Sequence, residues 1–139
     1  MIKYSLFKQF IYFVLSLFFI LQGAETRAGV ANIIFLDTEN YVLYDKVLHQ
    51  VVKVKVTDEI GNPIPFVEVH FFCSDTVIAD FIFPVTLTDT NGLAVSIIQS
   101  KLSADQIISP PSGLGGRTPI ITAKSEGATS SNVPLDIIW

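Results

Sequence analysis

The alternation of apolar and polar residues on both sides of one turn-forming cluster limits this chain more than any other feature of its sequence. Residues 52–56 read Val-Lys-Val-Lys-Val. Because successive side chains of a strand point to opposite faces, this segment predicts a half-buried strand with an apolar face and a polar face. A shift of one residue would bury Lys53 and Lys55, so the pattern also fixes the register of the strand.

The same alternation returns in residues 66–73, and the cluster between the two segments is rich in turn formers. Asp58, Gly61 and Asn62 favour a turn. Pro65 has no backbone N–H to donate, which ends strand pairing at that point. The sequence therefore predicts two strands joined by a corner.

A second corner lies at Thr88–Gly92, where the Asn-Gly pair supplies the positive φ that a tight hairpin needs. The Asp and Asn oxygens of both corners are of the type that calcium prefers. Neither corner has the alternating acids and closing glutamate of the known calcium loop. We therefore interpret both as turns and predict neither a metal nor a cofactor.

Short apolar runs and alternations, separated by turn residues, predict seven strands after residue 29. No segment there has a convincing helical periodicity. Seven strands in about 110 residues are typical of an all-β, immunoglobulin-like sandwich of two antiparallel sheets. The predicted strands are Val30–Leu36, Leu48–Thr57, Phe66–Cys73, Val77–Thr88, Leu93–Ser100, Pro119–Lys124 and Asn132–Ile138.

The first 28 residues have the composition of an export signal. Lys3 and Lys8 precede an uncharged run from Phe10 to Leu21, and small residues follow near Ala28. A membrane-spanning helix needs about 20 apolar residues, whereas this run has 12. We therefore favour a signal peptide, residues 1–28, over a membrane anchor, and expect a secreted, periplasmic or cell-surface protein.

Removal of that segment leaves an acidic domain, residues 29–139. Its 111 residues include 6 basic and 12 acidic side chains, a net charge of −6. A negative surface does not attract phosphate backbones, so we expect no nucleic-acid partner. Contact with a membrane is expected only through the export signal.

The single cysteine, Cys73, cannot form a disulfide within the chain. It could pair with another chain or act as a reactive thiol. However, it shares one face of its predicted strand with Val67, Val69 and Phe71, and buried cysteine behaves as a small apolar residue. We interpret it as inert.

Four motifs follow one another in a fixed order: VTDEIGNPIP at residues 56–65, VEVHF at 67–71, TDTNGLA at 88–94 and ITA at 121–123. In sequence and order they resemble the bacterial immunoglobulin-like (Big-1) domains of the invasin and intimin group. The resemblance extends over about residues 48–138. It implies an immunoglobulin-like fold, and it says less about function because one fold supports many activities.

Domains of that group are usually stacked in long surface proteins that hold a binding tip away from the cell. This sequence shows one such domain, no barrel or anchor segment, and a long link between Gln99 and Pro119. We therefore expect a non-enzymatic module that acts by contact with a protein or a host or cell-surface component, as an adhesion or assembly subunit.

Two segments and the final residue are the candidate contact regions. Residues 101–118 form a connection longer than about 12–15 residues, a length that is uncommon unless the segment binds something or stays mobile. A tolerated insertion is the alternative, because closure entropy grows slowly with loop length. The candidate contacts are Leu93, Val95, Ile97, Ile107, Ile108 and Trp139.

The strand Leu93–Ile98 permits two orientations. The family pattern turns Ala94, Ser96 and Ile98 inward, whereas bare periodicity buries the more apolar set at 93, 95 and 97. If the family register holds, three aliphatic side chains form an outer patch suited to another protein. Alternatively, the strand is covered on both faces.

Two other function classes remain open. A carbohydrate-binding module would need an aromatic platform, and a small hydrolase would need one of the two histidines beside an acid and a nucleophile. We predict no enzyme, because no serine has a nucleophile-elbow context, no residues have zinc-ligand spacing, and the glycine-rich segment 113–116 lacks the lysine of a phosphate loop. The residues concerned are Tyr41, Tyr44, Phe66 and Phe72 for the platform, and His49 and His70 for catalysis.

Overall fold

A computed structural model describes residues 29–36 and 41–139, and these residues form an all-β sandwich of immunoglobulin-like architecture. The predicted signal peptide, residues 1–28, lies outside the described residues. One short helix, α1 (Ala104–Ile108), accompanies the strands. The strands are β1 (Asn32–Phe35), β2 (Tyr41–Leu43), β3 (His49–Thr57), β4 (Glu68–Cys73), β5 (Ala79–Phe81), β6 (Val85–Leu87), β7 (Leu93–Ser100), β8 (Ile120–Ser125), β9 (Ala128–Thr129) and β10 (Val133–Ile137).

The strands form two sheets. The four-stranded sheet has the order β1-β3-β7-β5, and the six-stranded sheet has the order β2-β10-β8-β4-β6, with β9 paired to β8. The predicted fold class is confirmed. One pairing differs from the expected antiparallel arrangement, because β2 and β10 are parallel. Parallel neighbours cannot be joined by a tight hairpin, and these two strands lie far apart in the sequence.

The predicted strand Val77–Thr88 is two strands in different sheets. β5 pairs with β7, and β6 pairs with β4, so the chain crosses from one sheet edge to the other at Ile82–Pro84. The apolar run was continuous in sequence because buried side chains of β5 are followed by apolar side chains that stay exposed at the crossing and on β6. The strands β2 and β9 and the helix α1 were not predicted.

The two sheets enclose one core, to which β3 contributes a continuous row. Val52, Val54 and Val56 are fully buried, whereas Lys53 is exposed and Lys55 is half-buried on the opposite face. Burial of one such valine stabilises the fold by about 1.5–3 kcal/mol. The predicted register of β3 is therefore confirmed.

Aspartate side chains close both predicted corners. The carboxylate of Asp58 accepts hydrogen bonds from the backbone N–H groups of Ile60 (3.0 Å) and Asn62 (2.8 Å). Desolvation raises the pKa of Asp58, but the bonds from Asn62 and its neighbours outweigh it, and the net pKa is lowered. At the second corner, Asp89 accepts from Asn91 (2.8 Å) and Leu93 (3.0 Å). Both clusters are turns.

The two corners are joined to each other by buried hydrogen bonds. The hydroxyl of Thr88 accepts from the N–H of Val67 (3.0 Å) and donates to the carbonyl of Ile64 (2.8 Å). The N–H of Ile64 donates to Val56 (3.0 Å), whose own N–H donates to Gly92 (2.8 Å). This arrangement fixes where β3 ends and where β4 and β7 begin.

No helix within residues 29–36 and 41–139 is long and apolar enough to cross a membrane.

Candidate functional site

The outer face of the four-stranded sheet is the main candidate site, and strand register determines its composition. Val51 pairs with Ile97, Lys53 with Val95, and Lys55 with Leu93. Odd-numbered residues of β3 and β7 therefore share this outer face. We call it the contact face, formed by Ile34, Val51, Lys53, Lys55, Ile82, Leu93, Val95 and Ile97.

The contact face is apolar along most of its width. Val51 and Val95 remain 47% and 46% exposed, and Ile34 is 54% exposed. Ile82 extends the row beside Ile97, because its N–H donates to the carbonyl of Ile97 (2.9 Å). Aliphatic groups on three neighbouring strands thus remain accessible to solvent, which is the composition of a protein contact surface.

Burial settles the orientation of β7. Ala94, Ser96 and Ile98 are buried, so the register given by the family resemblance is observed and the one given by bare periodicity is wrong. The polar member of the inner row has its own partner, since the hydroxyl of Ser96 donates to the carbonyl of Phe83 at 2.6 Å. That bond offsets the cost of burying the Ser96 hydroxyl. Because neighbouring residues of a strand point to opposite faces, Val95 then lies on the outer face.

Among the described residues, the charged side chains of the contact face are two lysines. Lys53 and Lys55 lie in its middle rows, while Asp80 lies at its margin and pairs with Lys101 at 3.2 Å. An exposed pair of this kind contributes little to stability. The contact face therefore combines aliphatic side chains with lysine side chains.

The two candidate residues of the link 101–118 lie in different environments, one in the core and one at the surface. Its helix α1 begins with a capping box, in which Ser103 and Gln106 exchange hydrogen bonds between side chain and backbone. Ile107 is fully buried, so it cannot form a surface contact in this fold. Its neighbour Ile108 is 61% exposed and remains a candidate.

Trp139, the last candidate contact, and Cys73 both pack against the core. Trp139 is half-buried against it, so only part of its ring is accessible. Cys73 is also half-buried rather than fully buried, and burial raises the pKa of its thiol. A raised pKa lowers the thiolate fraction at neutral pH and favours the inert interpretation.

One of the four aromatic residues considered for the alternative, carbohydrate-binding function is not at the surface. Tyr41 is fully buried and packs edge-to-face on Phe35, with ring centroids 6.1 Å apart. It cannot take part in an exposed sugar-binding surface. Phe66 and Phe72 are exposed, and the ammonium group of Lys124 lies 5.3 Å from the ring centroid of Phe72.

The two histidines lie on opposite outer faces of the sandwich. His49 is on the contact face, whereas His70 is on the six-stranded sheet, where its Nε2 lies 3.5 Å from Glu68. Ser125 follows Lys124, the cross-strand partner of His70, and its hydroxyl is buried.

No family model matches this chain, and no curated protein is similar to it in sequence.

Comparison with solved structures finds similar folds at low sequence identity. The adhesin InvE of Yersinia pseudotuberculosis has a TM-score of 0.53 and 15% identity, covering 78% of this chain and 32% of that one. The D00-D0 domain of intimin has a TM-score of 0.51 and 16% identity, covering 78% and 47%. A glycosyl hydrolase family 2 member from Bacteroides cellulosilyticus DSM 14838 has a TM-score of 0.52 and 14% identity, covering 79% and 15%.

This chain spans less than half the length of each of these structures. An adhesin and a glycosyl hydrolase both contain the fold, so the fold by itself assigns no activity. The likeness shows that the described residues form an immunoglobulin-like sandwich of the kind found in intimin.

Proposed function

We propose that this protein is an exported, non-enzymatic module that works by protein contact at the bacterial surface or in the periplasm. The aliphatic contact face is the observation that carries the proposal. In a sandwich that already has a continuous core, three strands that keep aliphatic side chains in water gain stability when another protein covers them.

The charges of the contact face specify the partner's chemistry. The partner needs an apolar surface that covers Val51 and Val95, with a carboxylate that meets Lys55. A second copy placed symmetrically on this face would instead bring Lys55 toward an identical, positively charged face, which is unfavourable. A protein or cell-surface component with acidic and apolar groups is therefore the proposed partner.

The proposal includes a family and a location. Membership of the Big-1 group is supported by the four ordered motifs and by the likeness in fold to intimin and an adhesin. Cleavage of residues 1–28 as a signal peptide is supported by their sequence pattern. Amino-terminal sequencing of the exported protein tests the second point, with Gly29 as the expected first residue.

A site-specific cross-linking experiment tests the contact face. A photoreactive amino acid replaces Val95 in the full chain, the bacterium of origin is irradiated, and the cross-linked partner is identified and purified. Binding of that partner is then measured for wild type and Val95→Asp. We expect Val95→Asp to weaken binding by at least about 10-fold, because a carboxylate in the middle of the face loses apolar contact and opposes the partner's acids.

Phe72→Asp is the matched control. Phe72 is 45% exposed, as Val95 is 46% exposed, but it lies on β4 in the six-stranded sheet. Circular dichroism spectra and melting temperatures of both variants establish that each is folded. Equal binding by Val95→Asp and wild type, or an equal loss in Phe72→Asp, would contradict the assignment of the contact face.

A further inference from the structure

The edge strand β6 has backbone groups that no other strand covers. The N–H of Phe71 donates to Pro84 (2.8 Å), and the N–H of Thr88 donates to Val67 (2.9 Å), so even-numbered residues of this segment face β4. The backbone groups of Val85 and Leu87 consequently point away from β4. Among the described residues, they have no hydrogen-bond partner.

The neighbouring edge strand β5 is closed in a different way. There the outward N–H of Phe81 is bonded to the carboxylate of Asp80 (2.8 Å), and that of Ala79 to the carbonyl of Asp75 (3.2 Å). The outward N–H groups of β5 are thus bonded to nearby acceptors, whereas those of β6 are not, among the described residues. An unprotected edge is a template for another strand.

The side chains of β6 make this edge attractive to an apolar strand. Val85 is 45% exposed and Leu87 is 59% exposed, both on the outer face of the six-stranded sheet. Thr86, between them, faces the interior, and its hydroxyl is already covered by the chain itself.

We propose that a second copy of this chain pairs with β6, antiparallel to it, about a two-fold axis that passes beside Thr86. In this arrangement Val85 of each copy lies opposite Leu87 of the other and exchanges two hydrogen bonds with it, four in total. The two Thr86 residues form the central pair without backbone bonds, with Cα atoms about 4.5 Å apart.

A second copy fits because the edge is complementary to itself. Since β6 neighbours β4, each row of the joined sheet would run Glu68, Leu87, then Val85 and His70 of the second copy. The row has an apolar centre, and like charges do not meet. Pro84 has no N–H, but its backbone faces β4, so no donor is missing from the open edge. The two-fold axis makes both halves equivalent, as in most homodimers.

Analytical ultracentrifugation of the protein purified after expression of the full chain tests this dimer. We expect the mean mass to rise from one chain toward two between about 1 μM and 1 mM. Val85→Asp and Leu87→Pro should each raise the dissociation constant at least about 10-fold. The first places a carboxylate in the apolar row, and the second removes two of the four hydrogen bonds. Val95→Asp, on the opposite face, should leave it within about 3-fold of wild type.

Cross-linking provides a second measurement that does not depend on disruptive variants. In a Cys73→Ser background, Thr86→Cys places two thiols beside the two-fold axis, at a spacing compatible with a disulfide. We expect a covalent dimer on oxidation, at more than about 10 times the rate of a Thr90→Cys control at the exposed second corner. A wild-type chain that stays monomeric at the highest concentration, or equal cross-linking rates, overturns the proposal. A dimer unaffected by Val85→Asp and Leu87→Pro also overturns it.

Discussion

Gly92 is the residue on which the junction of the two corners depends most directly. Its φ is +72°, a conformation that side chains with a Cβ rarely adopt. A Cβ at this position would lie 2.6 Å from the carbonyl oxygen of Val56 and 3.0 Å from Cβ of Pro63. Since the Val56 oxygen already accepts a hydrogen bond from Ile64, it cannot move without disturbing the first corner.

We therefore predict that Gly92→Ala lowers the free energy of unfolding by about 3 kcal/mol, through conformational strain and steric overlap together. Gly61→Ala is the control, because Gly61 also has a positive φ (+91°) but a Cβ there would have no atom within 4 Å. It should cost only about 1 kcal/mol. Urea denaturation measures both, and equal losses would show that strain alone accounts for the effect.

At the scale of elements, α1 shows how a five-residue helix is held in place. A helix this short is unstable by itself and depends on its capping box and on packing. Ile107 is its buried anchor, and Leu102, just before the helix, is also buried. At the far end of the link, Arg117 pairs with Asp75 at 2.8 Å. The link 101–118 is thus attached to the sandwich at both ends.

Replacement of Ile107 and of Ile108 should have different effects on the free energy of unfolding, because the first is buried and the second is exposed. Ile107→Ala should lower the free energy of unfolding by about 2–4 kcal/mol, because it leaves a cavity in the core. Ile108→Ala should change it by less than about 0.5 kcal/mol, because that side chain is mostly in water. Thermal unfolding followed by circular dichroism measures both, and similar values would mean that α1 does not pack as described.

At the scale of the whole molecule, both sheets contribute to one continuous core. β3 and β7 supply it from one side, and β4, β8 and β10 from the other. Trp139, the single tryptophan, packs against this core directly after β10. Its fluorescence therefore reports on the surroundings of the carboxyl-terminal strand β10, whereas far-ultraviolet circular dichroism reports on all strands.

We predict that the two signals change together in urea, with midpoints that agree within about 0.2 M, because a shared core couples the sheets into one cooperative unit. The circular dichroism midpoint of Trp139→Phe is the control, because it shows whether the tryptophan itself changes the stability. A fluorescence transition at clearly lower urea would show that β10 separates before the rest of the sandwich.

The long, alternating strands could be predicted from the sequence. Short strands and the pairing of strands could not, because the local pattern of residues does not show which strands lie next to each other. β3 and β7 were placed almost to the residue, because nine and eight consecutive residues carry the period. β2 and β6 have three residues each, too few to show any period. The orientation of β7 could not follow from hydrophobicity, since its more apolar side faces water.

The candidate site was partly accessible to sequence reasoning. Val95 and its neighbours were named from the family register, which also placed Ser96 inside. Nothing in the sequence separated buried Ile107 from exposed Ile108, because a single helical turn has no repeat. The open edge of β6 was missed since it depends on which strands are neighbours in space. No single-sequence pattern records that.

The parallel pairing of β2 with β10 has a mechanical consequence. These strands run side by side in the same direction, one near the start of the sandwich and one at its end. Leu135 pairs with Tyr41, and Ile137 pairs with Leu43. The N–H of Ile138 also donates to the carbonyl of Leu43 (2.9 Å). A pull on the two ends would first load the pairing of β1 with β3, because β1 precedes β2, and would then draw β2 and β10 in opposite directions along their length. The hydrogen bonds between these two strands would then be loaded together in shear, instead of breaking one after another.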